Sequence, residues 1–80
     1  MEKNEMIEKM VTILADEFEV ETSEITADAP IKETLHLDSL SLVDMVGLVD
    51  EEFGVTIQNS EIATIRTFGD LYEFVYTRLA

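Results

Sequence analysis

Eighty residues make one small domain, and its charge is lopsided: 18 acids against 5 bases leave a formal net charge of −13. That excess excludes nucleic acid and anionic membranes as partners, because phosphate is repelled, and it favours basic protein surfaces. A hydrophobic content of 46% gives the chain enough apolar mass for a core, unlike a disordered acidic tail, and the absence of cysteine removes disulfides and any thiol chemistry of its own.

Residues 1–10 are charged rather than apolar, and no apolar run approaches membrane-spanning length. A cytoplasmic monomer is expected. A domain of this size buries a modest share of its surface, so marginal stability is expected as well.

The first predicted helix runs from about Asn4 to Phe18. Ile7, Met10, Val11, Leu14 and Phe18 recur at helical spacing, with Glu5, Glu8, Lys9, Asp16 and Glu17 elsewhere on the cylinder. Val20 to Leu37 is broken by Thr22-Ser23 and by Asp28-Ala29-Pro30, yet it carries Ile25, Ile31, Leu35 and Leu37. It is too apolar for a free linker and is predicted to be a long ordered loop packed on the bundle. A loop of this length in a small domain is often functional.

The second predicted helix opens at Asp38-Ser39, with Asp38 as N-cap. Leu42, Met45, Val46, Val49 and Phe53 share one face, and Gly54 stops the helix by taking the left-handed conformation. Val55-Thr56-Ile57 reads as short and extended. Asn59 or Ser60 is expected to cap a brief third helix through Ile65. Thr67-Phe68-Gly69-Asp70 has the form of a capping box. The last helix then turns Phe68, Leu71, Tyr72, Val75 and Leu79 inward. The period is helical nearly throughout, so the expected fold is all-α: a small four-helix bundle of three longer helices and one short one, with a long ordered loop between the first two.

Catalysis has little to work with in this chain. His36, the single histidine, has no metal-ligand partner at i+3 or i+4, no stretch has the alternating ligands of a calcium loop, and there is no glycine-rich phosphate cradle. No metal site and no catalytic residue are expected. What stands out is Leu35-His36-Leu37-Asp38-Ser39-Leu40, which places a serine at a helix start. A helix N-terminus has unpaired N–H groups and a positive dipole end, so a phosphodiester on that serine sits in a favourable field. On the Asp-Ser dipeptide alone, an ordinary helix start is the more economical reading.

The second feature is charge distribution. No Lys or Arg lies between Lys32 and Arg66, while Glu33, Asp38, Asp44, Asp50, Glu51 and Glu52 precede Glu61. Asp44 and Glu51 are one heptad apart and share nearly one helix face. A solvated surface accounts for many acidic faces, but solubility alone mixes signs, and repulsion along one helix costs stability. Docking to a basic patch is the favoured reading.

Together these residues resemble a known family. Leu37-Asp38-Ser39-Leu40, then Val43-Asp44-Met45-Val46, then Glu51-Glu52-Phe53-Gly54-Val55, look like the bacterial acyl carrier proteins of dissociated fatty acid synthesis. The resemblance spans nearly the whole chain and implies a single acyl carrier domain over residues 1–80. It implies that a phosphopantetheinyl transferase moves 4′-phosphopantetheine from coenzyme A to Ser39, whose prosthetic thiol then carries fatty acyl groups as thioesters between synthase enzymes. It assigns Asp38 to helping hold the transferase's metal. It assigns Leu40, Asp44 and Glu51 to docking on basic patches of acyl-transferring partners.

The residues expected to shelter the acyl chain are Met45, Val46, Val49, Ile57, Ile65 and Leu71. The chain departs from the family's pattern in two places: Thr34-Leu35-His36 stands where Asp-Leu-Gly is common, and Gly47 where a larger apolar residue is common. Both bear on partner choice and on whether this is the carrier of fatty acid synthesis. A specialised carrier for polyketide, aminoacyl or other acyl groups is the alternative within the family. An unmodified acidic interaction module is the alternative outside it.

Overall fold

The computed structural model describes residues 2–79, with the backbone alone for Ser39. Helix α1 spans Lys3–Phe18, α2 Ile31–Thr34, α3 Ser39–Phe53, α4 Asn59–Ile62 and α5 Phe68–Leu79. The described residues form no strand; one isolated antiparallel bridge joins Pro30 and Thr67.

Helix α1 forms because Met6, Met10 and Leu14 stand four residues apart and reach the core together, with Ala15 beside them. Met6 is fully buried although the sequence pattern had assigned the stripe to Ile7, which is half-buried along with Val11 and Phe18. The helix ends where Glu19 turns left-handed at φ 56°, and Val20 N–H donates to the Ala15 carbonyl at 3.0 Å.

The segment between α1 and α3 is ordered, and it holds more structure than a loop. Thr22–Glu24 is a 3-10 turn closed by Glu21 and Glu24, and Ile31–Thr34 winds one α-helical turn behind Pro30. Ile25, Ile31 and Leu35 are buried. A single turn carries too few residues to display a period, which is why α2 reads as loop in the sequence. The segment is fastened to the start of α5 by Ile31 N–H to Arg66 O at 3.0 Å, Phe68 N–H to Ala29 O at 3.2 Å and Gly69 N–H to Ala27 O at 2.9 Å. The backbones approach so closely that a Cβ on Gly69 would meet Ala27 O at 3.1 Å.

Helix α5 opens on the expected box. Asp70 N–H donates to Thr67 Oγ1, and both Thr67 N–H and Arg66 N–H donate to Asp70 Oδ2, each at 3.2 Å. These backbone donors, with Arg66's charge adding to them, hold the exposed Asp70 carboxyl below its ordinary pKa. Phe68, Leu71, Tyr72 and Val75 are buried as expected, but Leu79 is 37% exposed because the last turn has run past the core, leaving Thr77 and Arg78 exposed too.

Helix α4 differs from its sequence reading at both ends. Gln58, not Asn59 or Ser60, is the N-cap, because Gln58 and Glu61 form a reciprocal box with Gln58 N–H donating to Glu61 Oε1 at 3.2 Å. The helix closes at Ile62 rather than Ile65. The Thr64 N–H and hydroxyl both turn back to the Glu61 carbonyl, and Ile65 N–H reaches only to Ile62 O, so the chain tightens out of α geometry.

Met6, Met10, Leu14, Val49, Phe68, Leu71 and Val75 form the most deeply buried part of the core, and no charged or polar residue is buried among them. Tyr72 is the borderline member: its hydroxyl is buried without a hydrogen-bond partner among the described residues, and burial pushes the phenol's pKa up. Among the described residues no helix is long and apolar enough to cross a membrane.

Candidate functional site: the start of α3 and the wall behind it

The approach to α3 is set by the end of α2. His36 adopts φ 56°, and Leu37 N–H donates to Lys32 O at 2.9 Å, the six-to-one bond of a Schellman ending. A left-handed residue is required here to turn the chain toward Asp38, and histidine occupies the place. Asp38 is extended and caps α3, its Oδ1 accepting from Ser41 N–H at 2.8 Å. That backbone bond, then the Ser41 hydroxyl, lowers the pKa of the exposed Asp38 carboxyl. Ser39 is the first residue of α3. Its side chain lies outside the described residues.

Beyond it the outer face of α3 opens. Leu40 is 78% exposed and Val43, three residues on, is 65% exposed. Asp44 and Glu51 are exposed and have no ion pair among the described residues. Val43 escaped the sequence reading. Its signal was its place three residues after Leu40 and off the Leu42–Met45–Val49 stripe. Gly47, one turn further, is also exposed, with nothing within 4 Å of where a Cβ would stand.

The inner face of α3 borders an apolar hole of about 10 Å³ between α2, α3 and α4, lined by Ile31, Lys32, Leu42, Met45, Ile57, Ile62 and Ile65. Of the six residues expected to line a cavity, Met45, Ile57 and Ile65 meet there. Val46, Val49 and Leu71 do not: Val49 and Leu71 are sealed in the core, and Val46 packs half-buried against it. Ile31, Leu42 and Ile62 take their places. Ile31 comes from the segment read as loop, so helical spacing could not have found it. A hole of this size is at the lower limit for one water, and its carbon lining offers water no partner.

Beside the α3 start lies a cleft of about 220 Å³ lined by Lys32, Leu37, Asp38 and Leu42. It offers a cation and an apolar wall next to a helix N-terminus, a setting that suits a flexible arm linked through a phosphodiester. No group of three or more His, Cys, Asp or Glu side chains among the described residues is placed to hold a metal ion.

The family described as "Phosphopantetheine attachment site" matches residues 8–75. The acyl carrier protein of Petrotoga mobilis is 42% identical over 67 residues, covering 84% of this chain and 79% of that one. The acyl carrier protein of Thermosynechococcus vestitus is 32% identical over 80 residues, covering 100% of this chain and 99% of its own. That of Rubrobacter xylanophilus is 35% identical over 75 residues, covering 94% and 93%. The chain belongs to the acyl carrier protein family, whose members bear a phosphopantetheine group and act as carriers rather than catalysts.

Proposed function

We propose that Ser39 is the attachment point and that the protein shuttles fatty acyl groups as thioesters in the cytoplasm, working as one carrier domain over residues 1–80. The observation that supports this best is the position of the α3 start. It adjoins an exposed Leu40 on one side and an aliphatic wall of Leu42, Met45, Ile62 and Ile65 on the other.

In the transfer, the Ser39 hydroxyl gives up its proton to a base supplied by the transferase, its oxygen bonds to the β-phosphorus of coenzyme A, the pyrophosphate bridge breaks, and 3′,5′-ADP leaves. The group supplies the thiol that this chain lacks. Asp38 does two things in this reading. Its capping bond fixes the backbone that presents Ser39, and its free oxygen faces the transferase's metal. The α3 dipole favours the resulting phosphodiester anion. Lys32, Leu37 and Leu42 border the cleft that receives the arm.

Leu40 and Val43 supply apolar contact to partner enzymes, and Asp44 and Glu51 supply steering toward basic patches. The empty space over Gly47 removes a contact from that face, which favours a partner set of its own and keeps a specialised carrier as the second reading.

The test is loading followed by melting. Incubation with coenzyme A, magnesium and a broad-specificity transferase adds one prosthetic group to the wild type and none to Ser39→Ala, read by intact mass. Acyl groups of increasing length then raise the melting temperature stepwise, because a chain buried in the folded state stabilises it by linkage and each buried CH₂ contributes about 0.8 kcal/mol. An adduct on Ser23, Ser41 or Ser60 would refute the site. A melting temperature independent of chain length would refute the fatty acyl cargo.

A further inference from the structure

The five bases of this acidic chain fall into two groups. Lys3 pairs with Glu73 and lies over the Tyr76 ring at 5.7 Å. Lys9 pairs with Glu52 and lies over Phe53 at 5.1 Å. Arg78 pairs with Glu61 and lies over Phe74 at 4.1 Å. Each of these three is engaged twice, by a carboxylate and by an aromatic face.

Lys32 and Arg66 have neither partner among the described residues. Both line one cleft of about 260 Å³, together with Pro30, Glu33, Ile62, Ala63 and Ile65. The nearest acid to Arg66 in sequence, Asp70, accepts from the backbone N–H groups of Arg66 and Thr67 and stays anionic; it feels the Arg66 charge through space but makes no ion pair with it among the described residues. Glu33 is the one acid in the lining, which leaves the cleft net positive on a protein of charge −13.

The two cations are held near each other by the backbone. Ile31 N–H donates to Arg66 O at 3.0 Å, and Pro30 bridges Thr67, so the segment carrying Lys32 is fastened to the segment carrying Arg66. The wall between them is aliphatic. Lys32, Ile62 and Ile65 also line the apolar hole, and Lys32 borders the cleft beside Asp38 as well. Shared lining residues therefore connect the α3 start, by way of aliphatic surface, to a cleft whose lining carries two cations without ion pairs and one acid, Glu33. A plain aliphatic chain gains nothing from those cations. A chain ending in an anion does.

We propose that the cleft between Lys32 and Arg66 receives the terminal carboxylate of a dicarboxylic acyl group carried on the prosthetic arm. The methylenes of that group lie along Ile62 and Ile65. This deepens the carrier reading and rests on attachment at Ser39.

The sign of the effect separates the cleft from general electrostatics. An added carboxylate on so acidic a protein lowers stability by repulsion unless a cationic site takes it. Carriers loaded with succinyl, glutaryl or adipyl groups are compared with the butyryl, pentanoyl and hexanoyl forms of equal length, with loading confirmed by intact mass. At the length that reaches the cleft, the dicarboxylic form melts about 3–6 °C higher at low salt, the rise expected from a partly exposed ion pair in a domain of this size. It also shifts the Arg66 side-chain N–H resonance. The melting gain vanishes in Arg66→Gln and in Lys32→Gln, the Arg66 shift vanishes in Lys32→Gln, and both effects shrink at high salt.

Equal or lower melting temperatures for the dicarboxylic forms at every length, with Arg66 unshifted, overturn the proposal. So does a gain that survives the double variant. A full Arg66 shift in the carrier bearing the arm without cargo assigns the cleft to the arm's own phosphate and likewise overturns it. Failure to load Ser39 overturns the attachment reading instead. In that event, S-adipyl-pantetheine phosphate added free at millimolar concentration decides the cleft: a shift of Arg66 that Lys32→Gln and the hexanoyl analogue lack sustains it, and no shift rejects it.

Discussion

The flank where α1 meets α5 is filled differently from the flank where α3 faces α2 and α4. On the first, Met6, Leu14, Phe68, Leu71 and Val75 are at most 1% exposed, and Lys3 reaches across to Glu73 and Tyr76. On the second, Leu42, Ile62 and Ile65 are half-buried around a small apolar hole, and α4 is a single turn. A closed, interdigitated pair of long helices resists volume change, whereas a one-turn helix has few fixed bonds to give up when it moves. In the proposed carrier, stability and cargo space thus fall on opposite sides of one small core, with α3 shared between them.

The sharpest way to break that contrast is to delete side chains from each flank. Leu14→Ala or Phe68→Ala removes a fully enclosed group and is expected to cost about 3–5 kcal/mol. Ile65→Ala, already partly hydrated, is expected to cost about 1 kcal/mol. Urea titrations of the three variants measure the difference. Similar costs on both sides would mean that the α4 side is as tightly held as the α1–α5 side.

A smaller effect comes from the backbone at the two approaches to α3. His36 and Gly54 both occupy the left-handed region, at φ 56° and 68°. His36→Gly is expected to stabilise by about 1 kcal/mol, and Gly54→Ala to destabilise by about the same amount. Nothing lies within 4 Å of a Cβ at Gly54, so the second cost is conformational alone. Matched thermal melts check the pair. A destabilised His36→Gly would show that the imidazole makes contacts worth more than the strain.

The smallest expected effect is on pH. Asp38 and Asp70 each have a carboxyl pKa lowered from 3.8 by backbone N–H donors. A lowered folded-state pKa gives stability that is fully present above 3.8 and is lost as pH falls through the lowered value. Below that range both caps fail. At α5 the adjoining Phe68 and Leu71 remain sealed, whereas at α3 the next residue is the exposed Leu40. Amide exchange measured down an acid series is therefore expected to rise first at Ser41 and only later at Asp70. Simultaneous loss would show that the caps, rather than the packing behind them, hold both helix starts.

The long helices and their caps were legible in the sequence, because each rests on neighbours within a turn or two. Asp38 reaches Ser41, Thr67 reaches Asp70, and the stripes of α3 and α5 repeat over three turns or more. The short elements were not. α2 has four residues and no period to read, and α4 took its cap from Gln58 because the deciding partner was the Glu61 side chain rather than the capping residue's own type. Likewise Asp44 and Glu51, one heptad apart, could be grouped by spacing, and Asp38, Ser39 and Leu40 by the motif that carries the family resemblance. The wall behind them could not.

By itself, then, the sequence determined the helical class, the start and stop of α3 and the acidic outer face, all of which are set by local hydrogen bonding, periodicity and charge, while Ser39 as candidate attachment position came from the family resemblance. Only the tertiary structure decided that Ile31 and Ile62 join Met45 and Ile65 around the hole while Val49 and Leu71 are sealed away from it. Only it decided that Lys32 and Arg66, 34 positions apart in the chain, share a cleft. The physical reason is the same in both cases. Which side chains meet depends on how α2 and α4 are seated by long-range backbone bonds such as Ile31 to Arg66, and no local pattern encodes the far partner of such a bond.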